Sequence, residues 1–259
     1  MRVLICNDEA SAAERAADLL CDTVTERPRA VLGLATGGTM EPVYALLRER
    51  LAGGVLDLSK VTTFNLDEYV GLAGDHPQSY RAAMRHLLFD AAGLGPDRAR
   101  LPDGTAADPA AEARAYDAAI MAAGGIDLQL LGIGGNGHIG FNEPTSSLGS
   151  RTRVKTLTDE TRRANARFFA DGETIPRFAI TMGIATVLDA RACVLLATGT
   201  KKAKAVAAAI EGPLSASCPA SALQLHPAAT MILDPEAAAE LRLRDYYETV
   251  HPNGGEAPL

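Results

Sequence analysis

A histidine and a glutamate lie five residues apart in a glycine-rich stretch in the middle of the chain. His138 and Glu143 are separated by Ile-Gly-Phe-Asn, and Asn136 precedes the histidine by two residues. An imidazole beside a carboxylate can exchange protons with a substrate near neutral pH, because the unperturbed pKa of histidine is about 6.5. If the loop folds back on itself, the pair is a candidate acid–base site. The alternative is a histidine with a structural role only.

Two adjacent carboxylates form the second candidate. Asp67 and Glu68 follow directly after the apolar run Val61–Leu66. Burial at the end of a strand raises the pKa of a carboxyl group toward the range in which it accepts protons at neutral pH. The pattern therefore indicates a general base, and the alternative is a helix N-cap or a surface turn.

Two glycine-containing loops have the composition of anion sites. Glycine lets backbone N–H groups approach an anion, and a helix N-terminus adds positive potential. In the second loop, lysines in the first helical turn oppose the helix dipole, a conflict that a bound phosphate would remove. A tight turn and a solvated basic face are the alternatives. The first loop is Thr36, Gly37, Gly38 and Thr39, and the second is Gly199, Thr200, Lys201, Lys202, Ala203 and Lys204.

One glycine pattern imitates a nucleotide-binding motif. Gly132, Gly134 and Gly137 have the spacing of the dinucleotide fingerprint. That fingerprint normally opens a helix in the first βαβ unit. Here it lies in mid-chain, and Pro144 with its polar neighbours interrupts the helix that should follow. We therefore do not expect a nicotinamide cofactor.

Seven short apolar runs alternate with helix-like, often alanine-rich stretches. The elements that these runs and stretches form must position the candidate loops described above. Strands buried on both faces are typical of parallel sheets. The alternation predicts an α/β fold with an open, mostly parallel sheet and helices on both faces, a three-layer, Rossmann-like arrangement. Ligands bind beyond the carboxyl ends of such strands, so we expect the four loops to meet at one rim. The runs are Val3–Ile5, Ala30–Ala35, Val61–Leu66, Leu128–Ile133, Phe178–Thr181, Cys193–Ala197 and Thr230–Leu233.

Local signals predict one helix in detail. Thr39 is suited to be its N-cap, Pro42 falls in its first turn, and Gly53 and Gly54 end it. We further expect a single domain over residues 1–259, with a flexible tail from about residue 252.

Composition excludes several classes of function. The formal net charge of −7 disfavours binding to nucleic acids and anionic membranes. The four cysteines form no C-x-x-C pair, so we expect reduced thiols. The apolar run at the N-terminus is too short for a signal peptide, and no run in the chain reaches the roughly 18 apolar residues of a membrane span. These features favour a soluble, cytoplasmic protein.

Five segments of the chain resemble the glucosamine-6-phosphate deaminase family. The motif Gly-His-Ile-Gly-Phe-Asn-Glu-Pro is specific, because the related phosphogluconolactonases share the fold but differ after Gly-His. The resemblance runs in consistent order from about residue 30 to about residue 235. The segments are 34–39 (LATGGT), 63–72 (TFNLDEYVGL), 137–144 (GHIGFNEP), 150–157 (SRTRVKTL) and 223–227 (LQLHP).

The resemblance implies conversion of glucosamine 6-phosphate and water to fructose 6-phosphate and ammonia, with no metal or other cofactor. In that scheme His138 assists opening of the pyranose ring. Asp67 then moves a proton from C2 to C1 through an enolamine. Glu143 helps to set the charge of His138, and Glu68 belongs to the same wall of the site.

The resemblance also implies how the phosphate is held. Its ligands would be Gly38, Thr39, Lys202 and Arg167, and the region of about residues 157–180 resembles the family's mobile lid. Many members carry aspartate at the position of Asn136, whereas others have asparagine. Because an amide adds no negative charge, we expect His138 to be protonated less readily here than in the members with aspartate.

A second ligand site follows from the same resemblance. In the allosteric hexamers of the family, residues matching Ser146, Arg153, Lys155 and Tyr246 bind N-acetylglucosamine 6-phosphate between subunits. Strand alternation places Arg151 on one face with Arg153 and Lys155, a composition that is unusual for a core. The resemblance thus implies a homo-oligomer, a hexamer, with this activator. The alternative is an exposed, charged edge strand.

Two other functions remain open. A sugar-phosphate lactonase would share the fold, although Asp67, Glu68 and the segment 141–143 match the deaminases. A non-catalytic sugar-phosphate sensor would need a DNA-binding module, for which a single acidic domain of this length leaves no obvious room.

Overall fold

The computed structural model describes residues 1–158, 169, 173 and 175–255, and these contain ten strands. In chain order they are β1 (Arg2–Ile5), β2 (Val31–Leu34), β3 (Thr62–Asn65), β4 (Asp67–Tyr69), β5 (Ala99–Arg100), β6 (Leu128–Leu131), β7 (Arg153–Thr156), β8 (Phe178–Thr181), β9 (Ala192–Ala197) and β10 (Ala229–Leu233). Seven of them form a parallel sheet in the order β1-β10-β9-β6-β2-β3-β5. The other three form a small antiparallel sheet in the order β4-β8-β7.

The helices cover both faces of the parallel sheet. Connections up to β5 step along the sheet in one direction and later connections step in the other, so right-handed crossovers put the two sets of helices on opposite faces. One layer contains α1 (Glu9–Glu26), α2 (Glu41–Ala52), α3 (Tyr80–Met84), a π-helical turn (Arg85–Phe89) and α4 (Asp90–Ala92). The other contains α5 (Pro109–Ala122), α6 (Ile184–Leu188), α7 (Ala203–Ile210) and the 3-10 segment Pro219–Leu225.

The predicted architecture is confirmed, because all seven apolar runs are strands and the sheet is mostly parallel with helices on both faces. One strand belongs to a different sheet from the one that its sequence predicted. Phe178–Thr181 reads as a buried parallel strand, but it is the central strand of the antiparallel sheet. Its burial between β4 and β7 gives it the same apolar composition as a strand of the main sheet.

The start of α2 differs from the sequence prediction. Gly38–Met40 form a 3-10 turn before the helix, so Thr39 lies inside that turn and makes no side-chain cap. The rest of the prediction is confirmed: Pro42 lies in the first turn, and Gly53 follows the last residue, Ala52. Residues 36–39 thus lie between the carboxyl end of β2 and the first turn of α2.

The last described residues pack against the β1 edge of the sheet. Helix α8 (Arg244–Val250) packs against β1, and Pro252–Gly254 form a 3-10 turn. Gly254 is buried, and a Cβ atom there would lie 2.8 Å from Sγ of Cys6. The first residues of the predicted flexible tail are therefore packed, and residues 256–259 lie outside the described residues. No helix within the described part of the chain is long and apolar enough to cross a membrane.

The strand order brings the four candidate loops together. β9, β6, β2 and β3 are neighbours, and the loops of interest follow the carboxyl end of each. The order reverses between β2 and β6, and crevices for ligands form at such a switch point. Most of the predicted lid, about residues 157–180, lies outside the described residues, although its last three residues belong to β8.

Candidate active site

A cavity of about 440 Å³ opens at the carboxyl ends of these strands. All four loops line it, together with one helix from the α2 layer. Its lining includes Thr36, Gly37, Gly38, Thr39, Asp67, Tyr80, Asn136, His138 and Lys202. Residues separated by up to 166 positions in the sequence thus face one space of the size that holds a small ligand.

Asp67 is the candidate base. It is the first residue of β4, pairs with Thr181 of β8, and is 6% exposed. Burial, and to a smaller extent the charge of Glu68, raise the pKa of Asp67 to about 8. Within the described residues no group donates a hydrogen bond to its carboxylate. A carboxyl group of this kind exchanges protons near neutral pH.

Glu68 does not face the cavity. Its carboxylate accepts hydrogen bonds from the backbone N–H groups of Tyr69 (2.9 Å), Tyr80 (3.0 Å) and Arg81 (2.9 Å). Burial raises its pKa, and these hydrogen bonds oppose the rise. The predicted place of Glu68 in the wall of the substrate site does not fit this geometry, because successive residues of β4 point to opposite faces and Glu68 does not line the cavity. The side chain instead fixes the start of α3 beside the site.

His138 and Glu143 approach each other as the sequence predicted. Nδ1 of His138 lies 3.4 Å from Oε2 of Glu143 without hydrogen-bond geometry, and the two form an ion pair when the imidazole is protonated. Asn136 lies between them: its amide nitrogen donates to Oε2 of Glu143 (2.8 Å), and its oxygen accepts the backbone N–H of His138 (3.2 Å). Such contacts often shorten only when a substrate is bound. Glu143 is 5% exposed, so its charge is felt strongly by the histidine.

The backbone of the loop holds the imidazole in place. A Cβ atom on Gly134 would lie 2.2 Å from Cε1 of His138, so only glycine leaves room for the ring. Further along, Asn142 is fully buried and donates to the carbonyls of Ile139 (2.9 Å) and Met182 (2.8 Å). These bonds attach the turn before Glu143 to the end of β8.

The two anion loops have the same local shape. Gly37 (φ 125°) and Gly199 (φ 83°) adopt conformations that other residues rarely reach, and each precedes a 3-10 turn and then a helix. Cβ positions on Gly37 and Gly38 face open space. Lys202 is half-buried at the cavity, and burial lowers its pKa. The arrangement presents N–H groups and one ammonium group to an anion; Arg167 lies outside the described residues.

Sequence reasoning missed an aromatic wall. The rings of Tyr80 and Phe141 stack with centroids 6.1 Å apart, and Tyr69 contacts both. Tyr80 and Phe141 line the cavity beside Asp67. Phe141 lies within the specific motif, but nothing in the sequence marks Tyr80, since its place depends on the bonds that Glu68 makes to α3.

The residues of the predicted effector site occupy two regions of the chain. Arg153 and Lys155 are half-buried on β7, whereas Tyr246 is 62% exposed on α8. Burial lowers the pKa of both basic side chains, and Arg153 donates to Oδ1 of Asn142 (2.8 Å). Ser146 is buried, and its hydroxyl finds no partner among the described residues.

Arg151 does not join the basic face of β7. It precedes the strand and forms ion pairs with Asp189 and with Asp117 (Nε–Oδ2 2.8 Å). The alternation prediction fails at this residue because the regular strand begins only at Arg153.

Comparison with known proteins agrees with this geometry. The profile of the glucosamine-6-phosphate isomerases/6-phosphogluconolactonase family matches residues 8–232. Proteins named glucosamine-6-phosphate deaminase from Hahella chejuensis and Streptomyces avermitilis are 54% and 53% identical to the chain. The matches cover 96% and 95% of this chain and 95% of each relative.

Solved structures extend the comparison. A monomeric glucosamine-6-phosphate deaminase superposes with a TM-score of 0.89 at 45% identity, covering 93% of this chain and all of its own. The 6-phosphogluconolactonase of Trypanosoma cruzi superposes with a TM-score of 0.76 at 20% identity, covering 93% of this chain and 97% of its own, which shows a common fold alone. The profile match and the identities above 50% over nearly the full length show that the chain belongs to the glucosamine-6-phosphate isomerase/6-phosphogluconolactonase family.

Proposed function

We propose that the protein is a glucosamine-6-phosphate deaminase, which converts glucosamine 6-phosphate and water to fructose 6-phosphate and ammonia. The observation that carries the proposal is a buried carboxylate, Asp67, in one cavity with His138, the loop 36–39 and Lys202. The relatives of this name from Hahella chejuensis and Streptomyces avermitilis are more than 50% identical to the chain, which supports the same substrate.

The cavity binds the phosphate at one end of the sugar and shields the other end from water. The phosphate lies against the N–H groups of Gly38 and Thr39 and the ammonium group of Lys202, where the N-terminus of α2 adds positive potential. The aromatic wall of Tyr80 and Phe141 excludes water from the other end. With the phosphate anchored, the reacting carbons are held beside Asp67 and His138.

His138 assists opening of the pyranose ring, in which the proton on the C1 hydroxyl is removed and the ring oxygen is protonated. An imidazole can perform both transfers because it accepts and donates protons near neutral pH. Glu143 stabilises the protonated imidazole of His138, and Asn136 holds Glu143 in position. The product of this step is the open-chain aldehyde.

Asp67 then moves a proton between carbons. Its carboxylate removes the proton from C2 of the aldehyde, which gives an enolamine, and the resulting acid returns a proton to C1. The nitrogen on C2 is then an iminium group. Water adds to C2 and ammonia leaves, so that fructose 6-phosphate remains. A carboxyl group whose pKa is about 8 is populated in both its ionised and its protonated form near neutral pH, so Asp67 can remove the proton from C2 and then return one to C1.

Assays of two substrates and one variant test the proposal. We expect wild-type protein to release ammonia from glucosamine 6-phosphate, and Asp67→Asn to lose this activity. A lactonase would instead hydrolyse 6-phosphogluconolactone and leave the amino sugar intact, and a sensor would bind the amino sugar without turnover. Either result would contradict the proposal.

We extend the proposal to regulation by N-acetylglucosamine 6-phosphate at Ser146, Arg153, Lys155 and Tyr246 of an oligomer, a hexamer by resemblance. The basic face of β7 and the unpartnered hydroxyl of Ser146 support an anion site there. Tyr246 would come from a neighbouring subunit. We expect a sigmoidal substrate curve that the activator makes hyperbolic, with a hexameric mass in sedimentation. A monomer with a hyperbolic curve, indifferent to the activator, would contradict this extension and leave the deaminase proposal intact.

A further inference from the structure

Thr181 stands directly opposite the candidate base. It is the last residue of β8, is fully buried, and pairs in register with Asp67 on the neighbouring antiparallel strand. Side chains at directly opposed positions of an antiparallel pair lie on the same face, with Cβ atoms about 5 Å apart. The hydroxyl of Thr181 therefore lies beside the carboxylate of Asp67, although no role in the reaction follows from its position in the sequence.

Gly140 places no side chain between Oγ1 of Thr181 and Oδ2 of Asp67. A Cβ atom at this position would lie 3.0 Å from Oγ1 of Thr181 and 3.2 Å from Oδ2 of Asp67. Any larger residue would thus place a methyl group between the hydroxyl and the carboxylate. The glycine of the loop keeps this small space open to the cavity.

The hydroxyl proton of Thr181 makes only a weak hydrogen bond. Its oxygen accepts the backbone N–H of Phe141 at 3.2 Å, which ties β8 to the loop that carries His138 and Glu143. Its own proton points to the carbonyl of Met182 at 3.4 Å, longer than a normal hydroxyl hydrogen bond. A hydroxyl can turn its proton to a better acceptor while it continues to accept from the first donor.

An ionised Asp67 is that better acceptor. Its carboxylate is buried and accepts no hydrogen bond from the described residues. Buried charges need such partners, and hydrogen bonds to a charged group are stronger than those between neutral groups.

We propose that Thr181 is a positioning residue of the reaction. Its hydroxyl donates to the carbonyl of Met182 while Asp67 is protonated and turns to donate to the Asp67 carboxylate when that group is ionised. Thr181 keeps its proton throughout, so the proton that moves from C2 to C1 is carried by Asp67 alone. The inference rests on the proposed function, and it adds a residue that links the base to the loop of the acid–base pair.

Other ionisable groups face Asp67 or share its cavity, and they are unchanged in the test. Glu68 is adjacent on β4, and Arg153 pairs with Thr181 from β7. The remaining groups come from five further places, namely Tyr69 at the end of β4, Tyr80 on α3, Tyr116 on α5, His138 on the loop after β6 and Lys202 on the loop after β9. Because these stay constant, a change at Thr181 isolates the hydroxyl.

The experiment compares Thr181→Val, which removes the hydroxyl at nearly constant volume, with Thr181→Ser, which keeps it. Loss of a donor to the ionised form raises the pKa of Asp67. We therefore expect the acidic limb of kcat/KM to move to higher pH by about one unit in Thr181→Val, and to stay near the wild-type position in Thr181→Ser. Thr63→Val is the matched control, since Thr63 is also a fully buried strand threonine but lies on β3 outside the cavity.

A second readout does not depend on turnover. The carboxyl ¹³C signal of Asp67, assigned with Asp67→Asn, reports its titration directly, and we expect the same displacement in Thr181→Val. Thr181→Ala replaces the valine variant if that protein does not fold. Equal midpoints in wild type and Thr181→Val, or equal displacements in the serine and valine variants, would overturn the inference. Absence of ammonia release by the wild type would instead overturn the proposed function, and the ¹³C titration would still decide the role of Thr181.

Discussion

The side-chain amide of Asn136 donates a hydrogen bond of 2.8 Å to Oε2 of Glu143. The same oxygen faces Nδ1 of His138 at 3.4 Å. The amide therefore orients the only negative charge that this loop places beside the histidine, while adding none of its own. Asn136, which the sequence placed beside His138, acts on it mainly through Glu143.

Replacement of this amide by a carboxylate has a defined consequence. In Asn136→Asp, two carboxylates face each other across a short contact, and a protonated His138 is the cation that relieves their repulsion. We expect the acidic limb of the pH–rate profile, to which protonation of His138 contributes together with that of Asp67, to move to higher pH in this variant. An acidic limb that does not move would show that His138 and Glu143 do not act as a unit.

Burial of Asp67 predicts how stability depends on pH. The pKa of Asp67 is raised from 3.8 to about 8 in the folded protein, so the folded state holds a proton that the unfolded state has released between these values. The contribution of this group to the free energy of unfolding therefore falls as pH rises from about 4 to about 8, by a few kcal/mol.

Chemical denaturation of wild type and Asp67→Asn at several pH values measures this contribution. We expect the variant to be the more stable protein at pH 8, with the difference shrinking toward pH 4. A constant difference between the two proteins would mean that Asp67 is ionised in the fold at all these pH values.

Gly134 and Gly135 form a matched pair for the position of His138. A Cβ atom on Gly134 collides with the imidazole, whereas the nearest atom to a Cβ on Gly135 is 3.9 Å away. We expect Gly134→Ala to lower kcat by about a hundredfold or more because a displaced general acid–base group loses its contribution, while Gly135→Ala keeps the wild-type rate. Steady-state assays with circular dichroism of both variants decide this, and equal activities would contradict the placement of the ring.

Lys202 and Lys201 test the phosphate site in the same way. Lys202 lines the cavity, whereas Lys201 lies in the same turn but is exposed. Loss of a charge-assisted hydrogen bond to phosphate weakens binding, so we expect KM for glucosamine 6-phosphate to rise about tenfold or more in Lys202→Met. Lys201→Met should retain the wild-type KM, and a larger effect at Lys201 would place the phosphate elsewhere.

Much of the fold follows from the sequence, because a parallel sheet buries both faces of its strands and so produces continuous apolar runs. The pattern does not distinguish β8, which is equally buried in the antiparallel sheet. β5 has only two residues, too few for any periodicity, and β4 contains the two carboxylates Asp67 and Glu68, which the sequence places in a loop after β3.

The site could be predicted in part. Loops at the ends of adjacent strands were expected to converge, and Asp67, His138 and Lys202 do line one cavity. The direction of each side chain depends on register, which is why Glu68 turned out to face α3 and not the cavity. Tyr80 and Thr181 reach the site only through tertiary pairing, and no local pattern marks such residues.

The central claim is that one cavity holds the phosphate and the reacting carbons of a single sugar. A crystal structure with an unreactive open-chain hexitol 6-phosphate tests it most directly. We predict the phosphate within hydrogen-bond distance of the Gly38 and Thr39 backbone and of Nζ of Lys202, with C2 beside the carboxylate of Asp67. A phosphate bound elsewhere, or a C2 atom remote from Asp67, would contradict the account.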